Sequence, residues 1–285
     1  MIGEAAALGT QRLGLWGGEP LLREDLGEII NYAKSKGFFV TLDSNGHLLK
    51  DMFVSLKKLD HLILALDGPE EMHDLNRGKG SFQKTINAIK YVKGKIPVWT
   101  ITVLTKHNLE GIDFVLKTAQ EYGFLATFQV LHHNEILGRN LESLLPPADQ
   151  YRKAIEKLIL RKKGRAPIAS SLAYLKHILN WPDYKKVMLS YKIDNLRCWA
   201  GRLYCNIDTD GSVFPCSLLV GKMGALNFLD TGFKKAFEHI QGFACKACSA
   251  SCFTEYNYLY SLNAEVIMSW MRSMHMTRRA LIARE

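Results

Sequence analysis

The sequence predicts an α/β protein: a parallel sheet of βα units over residues 1–190, followed by a small cysteine-rich α+β part over 191–285. Three observations predict it. Between residues 11 and 131, short apolar runs alternate with amphipathic helical stretches, the signature of parallel βα units. All six cysteines fall between residues 198 and 252. The dipeptide Asp210-Gly211 separates two short strand-like runs, which reads as a β-hairpin.

The strands are expected at "RLGLW" (12–16), "FFVTL" (38–42), "HLILAL" (61–66), "VWTITVL" (98–104) and "TFQVL" (127–131). Their nearly continuous apolar character fits a sheet covered by helices. Leu26, Ile29, Ile30 and Ala33 recur on one helical face. So do Phe82, Ile86 and Ile89, and again Ile112, Val115, Ala119 and Tyr122. Gly37 and Gly123 follow two of these helices, where a left-handed cap is wanted. Ser81 is placed to cap the helix behind it, with Arg77 in the loop before. Residues 132–147 read as a loop and 148–190 as helical. "GFKKAFEHIQG" reads as a helix, followed by a cysteine loop over 245–252. A final helix carries Val266, Trp270 and Met274 on one face.

Composition narrows the function classes. The chain is 47% hydrophobic and 23% charged, as in soluble globular proteins. No apolar run is long enough for a bilayer span, and no basic stretch precedes a short apolar core at the N-terminus, so the expected compartment is the cytoplasm. The net charge is +9. Its densest group, "RKKGR" at 161–165, lacks the interleaved aromatics of a nucleic-acid platform and reads as a solvated helix face. Nucleic acid is not an expected partner. The basic C-terminal "TRRALIAR" likewise reads as a solvated terminal helix rather than a membrane contact. His132-His133 are read as loop or surface residues, since adjacent side chains diverge.

In parallel βα architectures, ligands bind at the C-terminal strand ends. Three of these ends are polar and glycine-bearing. Gly17-Gly18-Glu19-Pro20 offers a sharp turn, close backbone approach and one carboxylate able to accept from an ammonium group. Asp43-Ser44-Asn45-Gly46 follows the second strand, and Asp67-Gly68 the third. Alone, the first is as well explained by an ordinary strand-to-helix turn; three in succession point to one shared ligand site.

The run of GGEP, SNG and "LDGPEEMHDLNRGKGSF" resembles the radical S-adenosylmethionine (SAM) superfamily over most of residues 11–131. The resemblance implies a partial (β/α) barrel, here its strands two to six. It implies that Gly17, Gly18 and Glu19, with Pro20 closing their turn, bind the amino group of SAM. Ser44, Asn45 and Asp67 would line its ribose and carboxylate, with Arg77 a weaker candidate for the carboxylate. Two departures stand out. Ala65 occupies a position where the family usually has serine, a loss of about 1 kcal/mol for one hydrogen bond. The family's CxxxCxxC loop, whose three thiolates hold the catalytic [4Fe–4S] cluster, has no counterpart, because residues 1–197 contain no cysteine. "EAAALG" (4–9) reads as the end of the helix that would follow that loop. An N-terminally shortened enzyme is the expected explanation; a protein that lost the cluster and kept the fold is the other.

Cys198, twelve residues, Gly211, four residues and Cys216 match the opening of the SPASM/twitch iron–sulfur domains, with Cys205 between them. Cys245-x2-Cys248-x3-Cys252 matches the later part incompletely. The resemblance implies one auxiliary [4Fe–4S] cluster and a second, incomplete site. The expected ligands are Cys198, Cys205, Cys216 and one thiol among Cys245, Cys248 and Cys252. CxxC pairs serve zinc equally well, so a structural zinc site in an interaction protein is the alternative. For an intact relative the resemblance implies reductive cleavage of SAM, hydrogen abstraction from a peptide or small molecule, and an electron donor such as flavodoxin or ferredoxin. A non-catalytic SAM-binding or electron-transfer module is the competing reading.

Overall fold

A computed structural model describes residues 1–132, 141–243 and 245–282. The predicted alternation of strands and helices is present from the start. Helix α1 (Ile2–Ala7) leads into β1 (Arg12–Leu15), α2 (Leu26–Ser35), β2 (Phe39–Ser44), α3 (Leu49–Met52) and β3 (His61–Ala65). Then come α4 (Glu70–Arg77), α5 (Ser81–Val92), β4 (Val98–Leu104), α6 (Ile112–Tyr122) and β5 (Leu125–Val130). The five strands pair in parallel in chain order. Burial alternates along β2 and β4. Val40, Leu42, Leu62 and Leu64 point to the helix side and are fully buried. Phe39, Thr41 and Asp43, Trp99, Ile101 and Val103, and Thr127 and Gln129 face the other, concave side and are only half-buried. That side is the lumen of a partial barrel.

Gly37 and Gly123 do end α2 and α6 with positive φ. Two local expectations change. Arg77 is the last residue of α4, not a loop residue. Ser81 begins α5 without capping it. The capping acceptor is Asp74, whose carboxylate takes the Phe82 N–H at 2.8 Å and the Ser81 hydroxyl at 3.1 Å.

The stretch read as helical over 148–190 is broken. Helices α7 (Ala148–Lys163) and α8 (Leu172–Leu179) flank an extended segment at 166–169. There Ala126 donates to Pro167 O and Ala169 donates to Ala126 O, both at 2.8 Å, extending the sheet beyond β5. Pro167 cannot continue a helix, and its carbonyl is free for this pairing. The "RKKGR" run is not wholly solvated either. Lys162 reaches inward to Ile168 O (2.6 Å) and Ser269 (3.2 Å), while Arg161 pairs with Asp113.

The C-terminal part comprises β6 (Met188–Leu189), β7 (Asn206–Ile207), β8 (Ser212–Phe214), β9 (Leu226–Asn227), α9 (Phe228–Thr231), α10 (Phe233–His239), β10 (Ala247–Cys248), α11 (Ser251–Tyr260) and α12 (Ala264–Ile282). The predicted hairpin is β7–β8, with β9 as a third strand. β6 pairs antiparallel with β10. Val213, Phe233, Ala236 and Ile240 join the same apolar core as the parallel sheet. α11 and α12 lie against the concave side: Ser251 donates to Gln129 Oε1 (3.0 Å) and Trp99 Nε1 to Thr277 Oγ1 (3.0 Å). The buried stripe of α12 is Val266, Ser269, Ser273 and Thr277, and Met274 is exposed. Small hydroxyl residues face inward because they let the helix approach closely and find partners there. No helix among the described residues is long and apolar enough to cross a membrane.

Candidate SAM edge and thiol site

The three polar strand ends meet. Gly17 turns with φ +142, a region open to glycine, and delivers Glu19 across the end of β2. Glu19 Oε1 accepts from Leu21 N (3.0 Å) and Ser44 Oγ (2.7 Å), and Oε2 accepts from Asn45 N (2.9 Å). The GGEP turn and the SNG segment are thus tied by one carboxylate. Pro20 opens the short turn of helix that follows it. Asp67 continues beyond β3, with its side chain 2% exposed. It accepts from Arg77 Nε (2.6 Å) and Val103 N (2.9 Å), so Asp67 and Arg77 are partners of each other. Asn108, which sequence reasoning passed over, locks this corner by donating to Asp67 O (2.9 Å) and Val103 O (2.8 Å). Ala65 is buried in β3.

The cysteines divide. Cys245 Sγ lies 3.9 Å from Cys198 Sγ. The Cys198 thiol is pushed far up by sharing its proton with Cys245 and by burial. Burial pushes Cys216 up to about 12, and the Cys245 and Cys198 thiols add to it. Cys245 sits at about 11: its bond to Cys198 lowers it, and the Cys248 thiol and burial outweigh that. Cys216 feels the Cys245 and Cys198 thiols, Cys245 feels Cys248, and Tyr204 feels Cys198, Cys248 and Cys216 together. Cys205 does not join them. In the β7–β8 register Asn206 faces Phe214, so alternation turns Tyr204 toward Cys216 and Cys205 to the opposite side. There Cys205 packs on the main core, and burial alone pushes it to about 12. Cys252, in the first turn of α11, has an exposed side chain; burial, then Asp43, pushes its thiol to about 12, and Cys216 adds to it. The expected ligand Cys205 thus lies on the opposite face of the hairpin from Cys216, while Cys216 feels Cys198 and Cys245, Cys245 feels Cys248, and Cys252 feels Cys216.

Four thiols are the donor set of either an iron–sulfur cluster or zinc. The Cys198–Cys245 spacing matches the roughly 3.8 Å between two thiolates on one tetrahedral zinc. Among the described residues, however, no three His, Cys, Asp or Glu side chains converge closely enough for a single ion. His132 is half-buried, and burial pushes it down to about 4; His133 lies outside the described residues.

The comparisons follow the same path. A profile of the radical SAM superfamily matches residues 1–119. AdoMet-dependent heme synthase of Methanosarcina barkeri (strain Fusaro / DSM 804) is 30% identical over 259 residues, covering 85% of this chain and 72% of that protein. The chain belongs to the radical SAM superfamily. Mycofactocin maturase MftC of Mycolicibacterium smegmatis (strain ATCC 700084 / mc(2)155) is 28% identical over 258 residues, 83% of this radical SAM chain and 62% of MftC. Streptococcus suis SuiB bound to S-adenosylmethionine superposes with a TM-score of 0.64 at 16% identity, over 85% of this chain and 59% of SuiB. SuiB bound to precursor peptide SuiA gives 0.62 at 18% identity, over 93% of this chain and 65% of SuiB. At that identity the likeness is one of fold, and it runs past the parallel sheet into the cysteine-rich part. The partial barrel expected from the sequence is the fold of the chain.

Buried titratable groups give a pH expectation. Burial, then Arg12, pushes His61 down to about 3, and burial pushes His73 down to about 4. Their folded values lie below the unfolded one, so their contribution is lost as pH falls below about 6.5. Burial raises Asp43 and Glu255 to about 7. Their folded values lie above the unfolded ones, so stability from them grows as pH falls from 7 toward about 4.5. Each group changes stability by about 1.4 kcal/mol per pH unit, and with His132, also pushed down to about 4, three histidines oppose two carboxyls. The denaturant midpoint is expected to fall gently from about pH 6.5 to 4.5, by the share of one group, and steeply below about pH 4, as the paired carboxylates protonate. A decline about three times as steep from pH 6.5 would show Asp43 and Glu255 ionised in the folded chain.

Proposed function

We propose that this chain is the SAM-binding and auxiliary-cluster portion of a radical SAM enzyme that modifies a peptide. The carrying observation is the pairing of two sites on one frame: the Glu19-centred edge at the strand ends, and the quartet Cys198, Cys216, Cys245 and Cys248. Gly17, Gly18 and Glu19 would hold the amino group of SAM, with Ser44, Asn45 and Asp67 along its other polar groups. Arg77 has its Nε and one Nη committed to Asp67, leaving its remaining N–H groups for the carboxylate. When bound, SAM with reduced iron–sulfur supplies the one-electron chemistry that removes a hydrogen atom from substrate. The quartet belongs to the part after about residue 190 and would hold one [4Fe–4S] cluster. Residues 1–197 hold no cysteine, so this chain's thiols serve the C-terminal site alone. A flavodoxin or ferredoxin as electron donor and a cytoplasmic setting complete the reading. A peptide substrate is supported by the fold shared with SuiB, whose complex with a precursor peptide has been solved.

The test is anaerobic reconstitution with iron and sulfide analysis and an absorption spectrum. About four irons and four sulfides per chain are expected, in a brown protein. The Cys198–Cys245 spacing favours zinc as the second reading; a colourless chain with one zinc would establish it and remove the auxiliary-cluster assignment.

A further inference from the structure

Asp43 is the single acidic residue in the five parallel strands. Alternation along β2 points it into the lumen, one residue before Ser44, which holds Glu19. Among the described residues its carboxyl has neither a hydrogen bond nor an ion pair. Cys252 and Tyr256, one turn apart on α11, both feel its charge from across the lumen. Tyr256 packs on Trp270 with ring centroids 5.7 Å apart, an aromatic wall on the α11–α12 side of the lumen. Among the described residues of the five strands, the other charged side chain on this concave side is Arg12, which lies over Phe39 and Trp270 and is four residues below Asp43 by register; across the lumen, Trp270 Nε1 donates to Glu255 Oε2 at 3.4 Å.

A carboxyl half-buried in the lumen without a partner favours a ligand that supplies one. Its place is informative. It lies at the level of the SAM edge, and Cys252 opposite is four residues from Cys248 of the thiol quartet. A substrate that meets both sites passes this point.

We propose that Asp43, faced by Cys252 and the Tyr256–Trp270 wall, is a substrate-recognition site for a planar cationic N–H donor, the guanidinium of an arginyl side chain in a peptide. A carboxylate accepts two parallel N–H bonds from that fork, and the adjoining rings favour a weakly hydrated cation. Asp43 binds the group and takes no part in bond breaking. The proposal rests on the reading of the lumen as a peptide site.

Cys252 is the reporter. Its alkylation by iodoacetamide is followed by peptide mapping in the reconstituted chain, with acetyl-Gly-Arg-Gly-amide or its citrulline counterpart present. The arginine peptide is expected to slow Cys252 alkylation severalfold in the wild type, and citrulline to leave it unchanged. Asp43→Asn is expected to abolish the protection and Asp43→Glu to retain it, each with the wild-type circular dichroism spectrum. Equal protection by both peptides, protection that survives Asp43→Asn, or none in the wild type overturns the proposal. The experiment runs equally in the metal-free chain. Failure to bind iron would therefore count against the cluster assignment and leave the Asp43 result to stand on its own.

Discussion

Cys216→Ser is expected to strip the reconstituted chain of most of its iron, whereas Cys205→Ser keeps about four irons per chain. The contrast follows from strand alternation. Cys216 lies on the face of the hairpin shared with Tyr204, where Cys198, Cys245 and Cys248 converge. Cys205 lies on the other face, against the apolar core. Serine at 198, 245 or 248 is expected to behave like serine at 216, because each removes one of four thiolates. Cys252→Ser is expected to retain the iron and the visible spectrum. Iron lost equally from the Cys205 and Cys216 variants would return Cys205 to the ligand set and require β7 to rotate on cluster binding. Cys205→Ser should still lower stability, by about 1 kcal/mol, since it places a hydroxyl against apolar neighbours.

The parallel sheet was legible because its signals are local and redundant. Each strand is an apolar run, each helix repeats its buried face every three to four residues, and Gly37 and Gly123 mark two ends. The Glu19 edge was legible through glycine and carboxylate at three successive strand ends. What remained hidden depends on long-range geometry. Pro167 and Gly164 gave a local reason to break the 148–190 stretch, but nothing nearby says that the intervening residues pair with Ala126. The stripe of α12 was misplaced onto Met274 because hydrophobicity is a poor guide where Ser269 and Thr277 are buried with hydrogen-bond partners and Ser273 is buried between them. Cysteine spacing named six candidate ligands. Which four converge is set by the β7–β8 register, and spacing carries no information about faces. Asp43 was readable as the acidic member of the Asp43-Ser44-Asn45-Gly46 strand end, but nothing in the sequence shows that its side chain turns into the lumen without a partner.

The largest stability effect is expected at Asp67→Ala. The carboxylate is buried and serves two partners at once, Arg77 from the end of α4 and the Val103 N–H of the neighbouring strand. Alanine leaves a guanidinium without its anion and a backbone donor without an acceptor. Breaking such a buried pair costs about 3–5 kcal/mol, and the lower end applies because Arg77 keeps some contact with water. Asp67→Asn keeps an oxygen for Val103 and loses the charge, so a loss of about 1–2 kcal/mol is expected. Arg77→Ala leaves the buried carboxylate uncompensated. The double variant should therefore lose less than the two single variants summed, since neither partner is then stranded. Urea unfolding of the four proteins measures this cycle. Additive losses, or a change within about 0.5 kcal/mol for Asp67→Ala, would mean that the pair does not hold this corner. The corner matters beyond stability. Asp67 fixes one edge of the Arg77 fork and the start of the segment that follows β3, while Asn108 ties both to β4. A candidate SAM contact at Arg77 is therefore only as well placed as Asp67 makes it. If SAM affinity falls for Asp67→Asn in parallel with Arg77→Ala, the two act as one unit.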